Sequence, residues 1–161
     1  MKREAVINFL RNEKIEHLFI CEDDEVVFHA KGDLDVVTVF DDELLKATNN
    51  EFIHNHPGDF PFSISDVVNT VKFNAKGMTL VTSRYFYVIQ RSLGGWNIDI
   101  EHLEKDFMLY DDWANDEIDK LVLKNLMNAE YAHQEKNHYI WLLIFDKYGI
   151  NYFRKSSPNG I

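Results

Sequence analysis

The stretch EFIHNHPGDFPFSISD, Glu51 to Asp66, constrains this chain more than any other. Glu51-Phe52-Ile53 reads as a short strand running into His54. Successive side chains alternate on extended backbone, so His54 and His56 share a face and Asn55 points away. Pro57 has no N–H to give to a ladder, so the strand is expected to stop there. Gly58 and Pro61 then turn the chain. Asp66 falls in the first turn of the next helix, where a carboxylate can come back to the imidazoles. Two histidines and one carboxylate leave a fourth position open, the arrangement of a catalytic zinc site rather than a closed structural one. The expected ligands are His54, His56 and Asp66 around one Zn2+; the same set accepts other divalent ions. Ser63 either caps the helix or aims its hydroxyl at a reacting oxygen. Ser-x-x-Asp is also an ordinary helix start.

Composition bounds the rest. The chain has 161 residues, which suggests one domain. It is 45% hydrophobic and 14% aromatic, enough for a real core. The net charge of −10 argues against nucleic acid, because phosphate binding needs a basic face. Cys21 is the single cysteine, so neither an internal disulfide nor a thiolate cage is available. MKREAVINFLRNEK has no long apolar segment, so no secretory signal is expected. No run of about 18 apolar residues suggests a membrane span. A cytoplasmic protein is the expectation.

Periodicity gives a coarse fold. Residues 3–13 place Ala5, Val6, Phe9 and Leu10 at helical spacing. HLFICEDDEVVFHA reads as two strands around a polar turn at Asp23-Asp24. LDVVTVF (34–40) is expected to continue extended, and 42–48 to form a short helix. Ser63 or Ser65 opens a helix that Gly77 closes. MTLVTS and YFYVIQR are two further strands. Residues 100–148 read as helical, with a stripe of Leu121, Leu126, Trp141, Leu142 and Phe145. This order indicates an α/β sandwich with a mixed sheet, a core at about 3–92 and a helical tail at about 100–161.

His54-Asn55-His56-Pro57 followed by Ser63-Ile64-Ser65-Asp66 resembles the signature of the JAMM (MPN+, JAB) zinc metalloproteases. Within that family, HNHP with a following FS-x-x-D is most similar to bacterial and phage-associated JAB domains and the RadC-like group. Nine residues separate His56 from Asp66, one fewer than the commoner family spacing. The resemblance implies an MPN-like α-β-α sandwich and a glutamate ahead of the first strand that holds the metal-bound water. Glu16 fits that role, and Glu25 is the rival. The implied reaction is hydrolysis of a peptide or lysine isopeptide bond by metal-activated water. Glu16 would be the general base and Ser63 the oxyanion stabiliser. The implied substrate is a protein or peptide, with ubiquitin-like tails included. Two alternatives stand beside it: an MPN-fold protein-binding module without catalysis, and a phage or mobile-element accessory protein.

Other residues carry weaker signals. Asn55 is expected to fasten the loop. Phe60 and Phe62 are expected to line a substrate groove or pack in the core. His17 and His29 read as surface or packing residues. His133 and His138 are five apart, a poor match to one helix face. Trp96, Trp113 and Trp141 are expected to anchor the tail. The sequence leaves the oligomeric state open.

Overall fold

A computed structural model describes residues 1–157. The elements are α1 (Arg3–Leu10), β1 (His17–Glu22), β2 (Glu25–Lys31), α2 (Asp41–Leu44), β3 (Glu51–Asn55), α3 (Ile64–Lys72), β4 (Gly77–Val81), β5 (Tyr85–Gln90), α4 (Leu103–Leu123), α5 (Ala132–Tyr148) and β6 (Asn151–Ser156). The chain is an α/β protein with one six-stranded mixed sheet in the order β2-β1-β3-β4-β5-β6. Only β3 and β4 pair in parallel, joined by the α3 crossover. The other neighbours are antiparallel. Asp23 and Asp24 both take positive φ, the backbone that lets a two-residue hairpin follow the strand twist.

Helices cover both faces of the sheet. On one, Val6 and Leu10 of α1 bury against Phe19, Cys21, Ile53 and Val81. On the other, Leu18, Ile20, Phe52, Leu80 and Ile89 pack under α3 to α5. The alternation along β1 and β3 divides these sets, as period-two side chains must. The Cys21 thiol is buried, which pushes its pKa up to about 11 and keeps it protonated.

Several expectations are corrected. Residues 34–40 form no strand; they cross the sheet face as an unpaired strap. Gly32 permits this, because a Cβ there would stand 2.0 Å from the Val36 carbonyl oxygen. Gly77 does not close α3: it lies in β4, and Asn74 takes the positive φ just past the helix. Residues 149–157 are not helical. The chain returns as β6 and pairs with β5, so the tail completes the sheet. In the helical stripe, Trp141 and Phe145 are buried, while Leu126 and Leu142 face solvent.

Trp141 links this tail to the rest. Its side chain is wholly buried, and its indole N–H donates to the Phe62 carbonyl at 2.6 Å. Trp96 donates to the Ala75 carbonyl, whereas Trp113 is largely exposed and anchors little. Trp141→Ala is expected to lower the unfolding free energy by about 3–5 kcal/mol, the usual range for removing a buried aromatic. Urea titration measures it; a loss under about 1 kcal/mol would contradict the anchoring role.

Candidate metal centre

The register of β1 on β3 builds the first half of the site. Leu18 stands across from His54. Continuing that register puts Glu16 across from His56. Alternation turns Glu16, Leu18, His54 and His56 to the same face. The side chain of Asn55 points the other way and is buried. Its Oδ1 accepts from the His17 N–H at 2.8 Å, and its Nδ2 donates to the Ile15 carbonyl at 3.0 Å. Asn55 thus grips the backbone on both sides of Glu16. The Glu16 N–H donates to the Asp33 carbonyl, and the Glu16 carbonyl accepts from Gly32.

The loop after His56 builds the second half. Asp59 adopts positive φ, and its carboxylate accepts from the Ser83 N–H and hydroxyl at 2.8–2.9 Å. Trp141 holds the far end through Phe62. Ser63 is the N-cap of α3 and forms a reciprocal capping box with Asp66. The Ser63 N–H and hydroxyl both reach Asp66 Oδ2, at 2.7 and 2.8 Å. Asp66 Oδ1 is turned toward His54 Nε2, at 3.9 Å.

Both imidazoles are oriented by carbonyls. His54 Nδ1 lies 2.7 Å from the His17 oxygen, and His56 Nδ1 lies 3.0 Å from the Phe60 oxygen. A carbonyl can only accept, so each Nδ1 carries the proton and each Nε2 faces the centre. Glu16, His54 and His56 offer ligand atoms all within 4.8 Å of one another, close enough to hold a metal ion. Glu16 Oε2 is 3.5 Å from His54 Nε2, and Asp66 Oδ2 is 3.3 Å from His56 Nε2. Ligands about 2.0–2.1 Å from a tetrahedral zinc stand roughly 3.3 Å apart; the two shorter pairs match that spacing, whereas Asp66 Oδ1 to His54 Nε2 at 3.9 Å and Glu16 Oε1 to His56 Nε2 at 4.0 Å are wider.

The two carboxylates differ electrically. Burial raises the Glu16 pKa; His56 opposes the rise, while Asp66 and Asp35 add to it. Burial would raise Asp66 too, but hydrogen bonding from His56 and Ser63, with both imidazole charges, holds it far below the usual carboxylate range. Burial lowers His54. It also pulls on His56, but the hydrogen bond and charge of Asp66, helped by Glu16, push that imidazole up to about 8.

The structure brings Glu16, His54, His56, Ser63 and Asp66 together around one cavity of about 490 Å³. Glu25 lies apart, paired with Lys2 and the N-terminal amine. Phe60 lines the cavity, and Phe62 is core. His17 is buried and meets His29, with Nδ1 to Nε2 at 2.9 Å. His133 meets Phe60, and His138 meets Tyr152. The cavity wall from Leu34 to Val39 escaped the sequence reading, because an unpaired strap carries the same β-prone letters as a strand. Among the described residues, no helix is long and apolar enough to cross a membrane. No protein-family model, curated protein or solved structure matches this chain.

The His56 proton gives a test. With its pKa raised from 6.5 to about 8, His56 is mostly protonated at pH 7 in the metal-free protein. A metal ligand must be neutral, so binding at pH 7 is expected to release about one proton. Apparent zinc affinity should rise as pH approaches about 8 and flatten above it. The His56–Asp66 pair also stabilises the metal-free fold fully below 6.5, and that contribution is lost as pH rises through about 8. Calorimetric titration in buffers of different ionisation enthalpy counts the protons. A count near zero would sink the assignment.

Proposed function

We propose that this chain is a zinc-dependent hydrolase of the JAMM type, cleaving a peptide or isopeptide bond. One observation carries the reading: two imidazoles present Nε2 between two carboxylates at one cavity, and those carboxylates have opposite pKa shifts. Groups whose environments push their pKa values apart take different chemical roles. Asp66, held ionised and fixed by Ser63, suits a ligand beside His54 and His56. Glu16, with its raised pKa, suits the general base. A zinc ion held there supplies Lewis acidity, lowering the pKa of water and polarising the scissile carbonyl. Glu16 accepts the proton from the attacking water and delivers it to the leaving amine. Its backbone clamps keep that carboxylate beside the imidazoles in the cavity wall.

The glutamate before β1, His-x-His at the end of β3 and Ser-x-x-Asp opening α3 match the resemblance in element as well as in letters. That agreement supports an MPN-like reading of the sandwich and a bacterial or phage-associated JAB affinity. Substrates are proteins or peptides, ubiquitin-like conjugates among them.

The first experiment is metal content by mass spectrometry on untagged protein purified without chelator. Near-stoichiometric zinc is expected, lost in His54→Ala. Glu16→Gln should retain zinc while hydrolysis falls about 10²–10⁴-fold, the range for a general base. Wild type that takes up no metal when zinc is supplied would overturn the hydrolase reading. Loss of zinc in Glu16→Gln would make Glu16 a ligand instead.

Ser63 has two separable roles. In the metal-free arrangement its hydroxyl is committed to Asp66. An oxyanion role requires it to leave that bond. If Ser63 acts through the cap, Ser63→Ala should lower stability by about 1 kcal/mol and weaken zinc binding. If it donates to the oxyanion, kcat should fall about 10²–10³-fold with zinc affinity intact. Melting, zinc titration and kcat on one variant distinguish the two.

A further inference from the structure

The cavity beside the imidazoles has two chemical ends. At one stand Glu16, His54, His56 and Asp66. At the other the wall is apolar: Leu44, Phe52 and Met78, all buried, form the floor, and Leu18, across from His54, joins the two. Val37 and Val39 of the strap form the side, half-buried. Leu34 and Val36 sit on the rim, 71% and 56% exposed. The strap cannot drift from the site, because Gly32 and Asp33 hydrogen-bond the backbone of Glu16 on both sides. The cavity of about 490 Å³ lies within the usual range of ligand pockets, about 300–1,000 Å³.

We propose that this apolar end is a subsite for a bulky apolar side chain of the substrate, next to the amide to be cleaved. The inference rests on the hydrolase reading and deepens it. A glycine tail would leave the cavity beside Leu18, Phe52 and Met78 unfilled, whereas a leucine or phenylalanine side chain would bury its own apolar surface there. The charge pattern sets a second limit. Among the described residues, the cavity is lined by Glu16, Asp35 and Asp66 and by no lysine or arginine. A terminal carboxylate of the substrate would meet these carboxylates and no lysine or arginine, and the His56 imidazole is already paired with Asp66. The favoured substrate is therefore an internal amide flanked by a large apolar residue, not a free C-terminus.

The test uses the full-length metal-free protein, so it needs no turnover. N-acetyl-leucinamide, N-acetyl-phenylalaninamide, N-acetyl-glycinamide and N-acetyl-leucine are titrated in turn, with chemical shifts followed at the Met78 and Val37 methyl groups. The two bulky amides are expected to bind about tenfold or more tighter than the glycine amide, as burying such a side chain implies. N-acetyl-leucine, with its free carboxylate, should bind more weakly than its amide. Val36→Asp and Leu34→Asp alter exposed rim positions, leave the floor intact and should each erase most of the preference. Equal binding of the leucine and glycine amides would overturn the proposal, as would shifts confined to residues outside the cavity. Cleavage assays then separate the two readings. Peptides cleaved equally well at glycine and leucine sites would sink the subsite and keep the hydrolase. Selective leucine-amide binding by a chain that takes up zinc but cleaves no peptide would sink the hydrolase and keep the apolar subsite.

Discussion

The antiparallel pairing of β1 with β3 is the contact on which the site depends. Its register sets Leu18 across from His54 and brings the preceding glutamate opposite His56. One residue of slip would turn those side chains to the face under α1. Asn55 guards against that slip. Its buried carboxamide bonds both neighbours of Glu16, so the residue between the histidines fixes the backbone that carries the carboxylate beside them.

The parallel step from β3 to β4 places the other half. A parallel pair needs a crossover, and α3 is that crossover. Its N-terminus therefore starts beside the end of β3. Asp66 serves two structures at once: Oδ2 caps the helix and faces His56, while Oδ1 faces His54. The helical tail takes part at a distance. Trp141 of α5 holds the Phe62 carbonyl, and the next residue is the Ser63 cap. Packing of the C-terminal segment thus helps fix where α3, and with it Asp66, begins.

Not every titratable cluster in the fold belongs to this chemistry. His138 lies between Tyr152 and Tyr87, and burial with nearby Arg154 pushes its pKa down to about 4. Arg154 Nη1 donates to both carboxylate oxygens of Glu135, joining β6 to α5. These groups satisfy one another inside the packing of the tail, as buried polar groups must. The cluster at the cavity differs because its imidazole nitrogens and carboxylate oxygens face one another there.

Local signals were legible wherever short-range chemistry decided the outcome. The Asp23-Asp24 turn, the strand into His54, the Ser63 cap and the shared face of His54 and His56 need only neighbouring residues and backbone geometry. Pairing with distant partners was not legible. Residues 34–40 have strand-like composition, yet no ladder takes them, and they became the wall of a cavity. Residues 151–156 were absorbed into a helical tail because their partner, β5, lies about sixty residues upstream. The sequence by itself determined the donor types, their spacing and the common face of the two imidazoles, since alternation and capping are local. Only the tertiary structure decided that Glu16 rather than Glu25 joins them and that an apolar pocket adjoins the site. Those outcomes depend on strand register and buried neighbours, which exist only once the chain has packed.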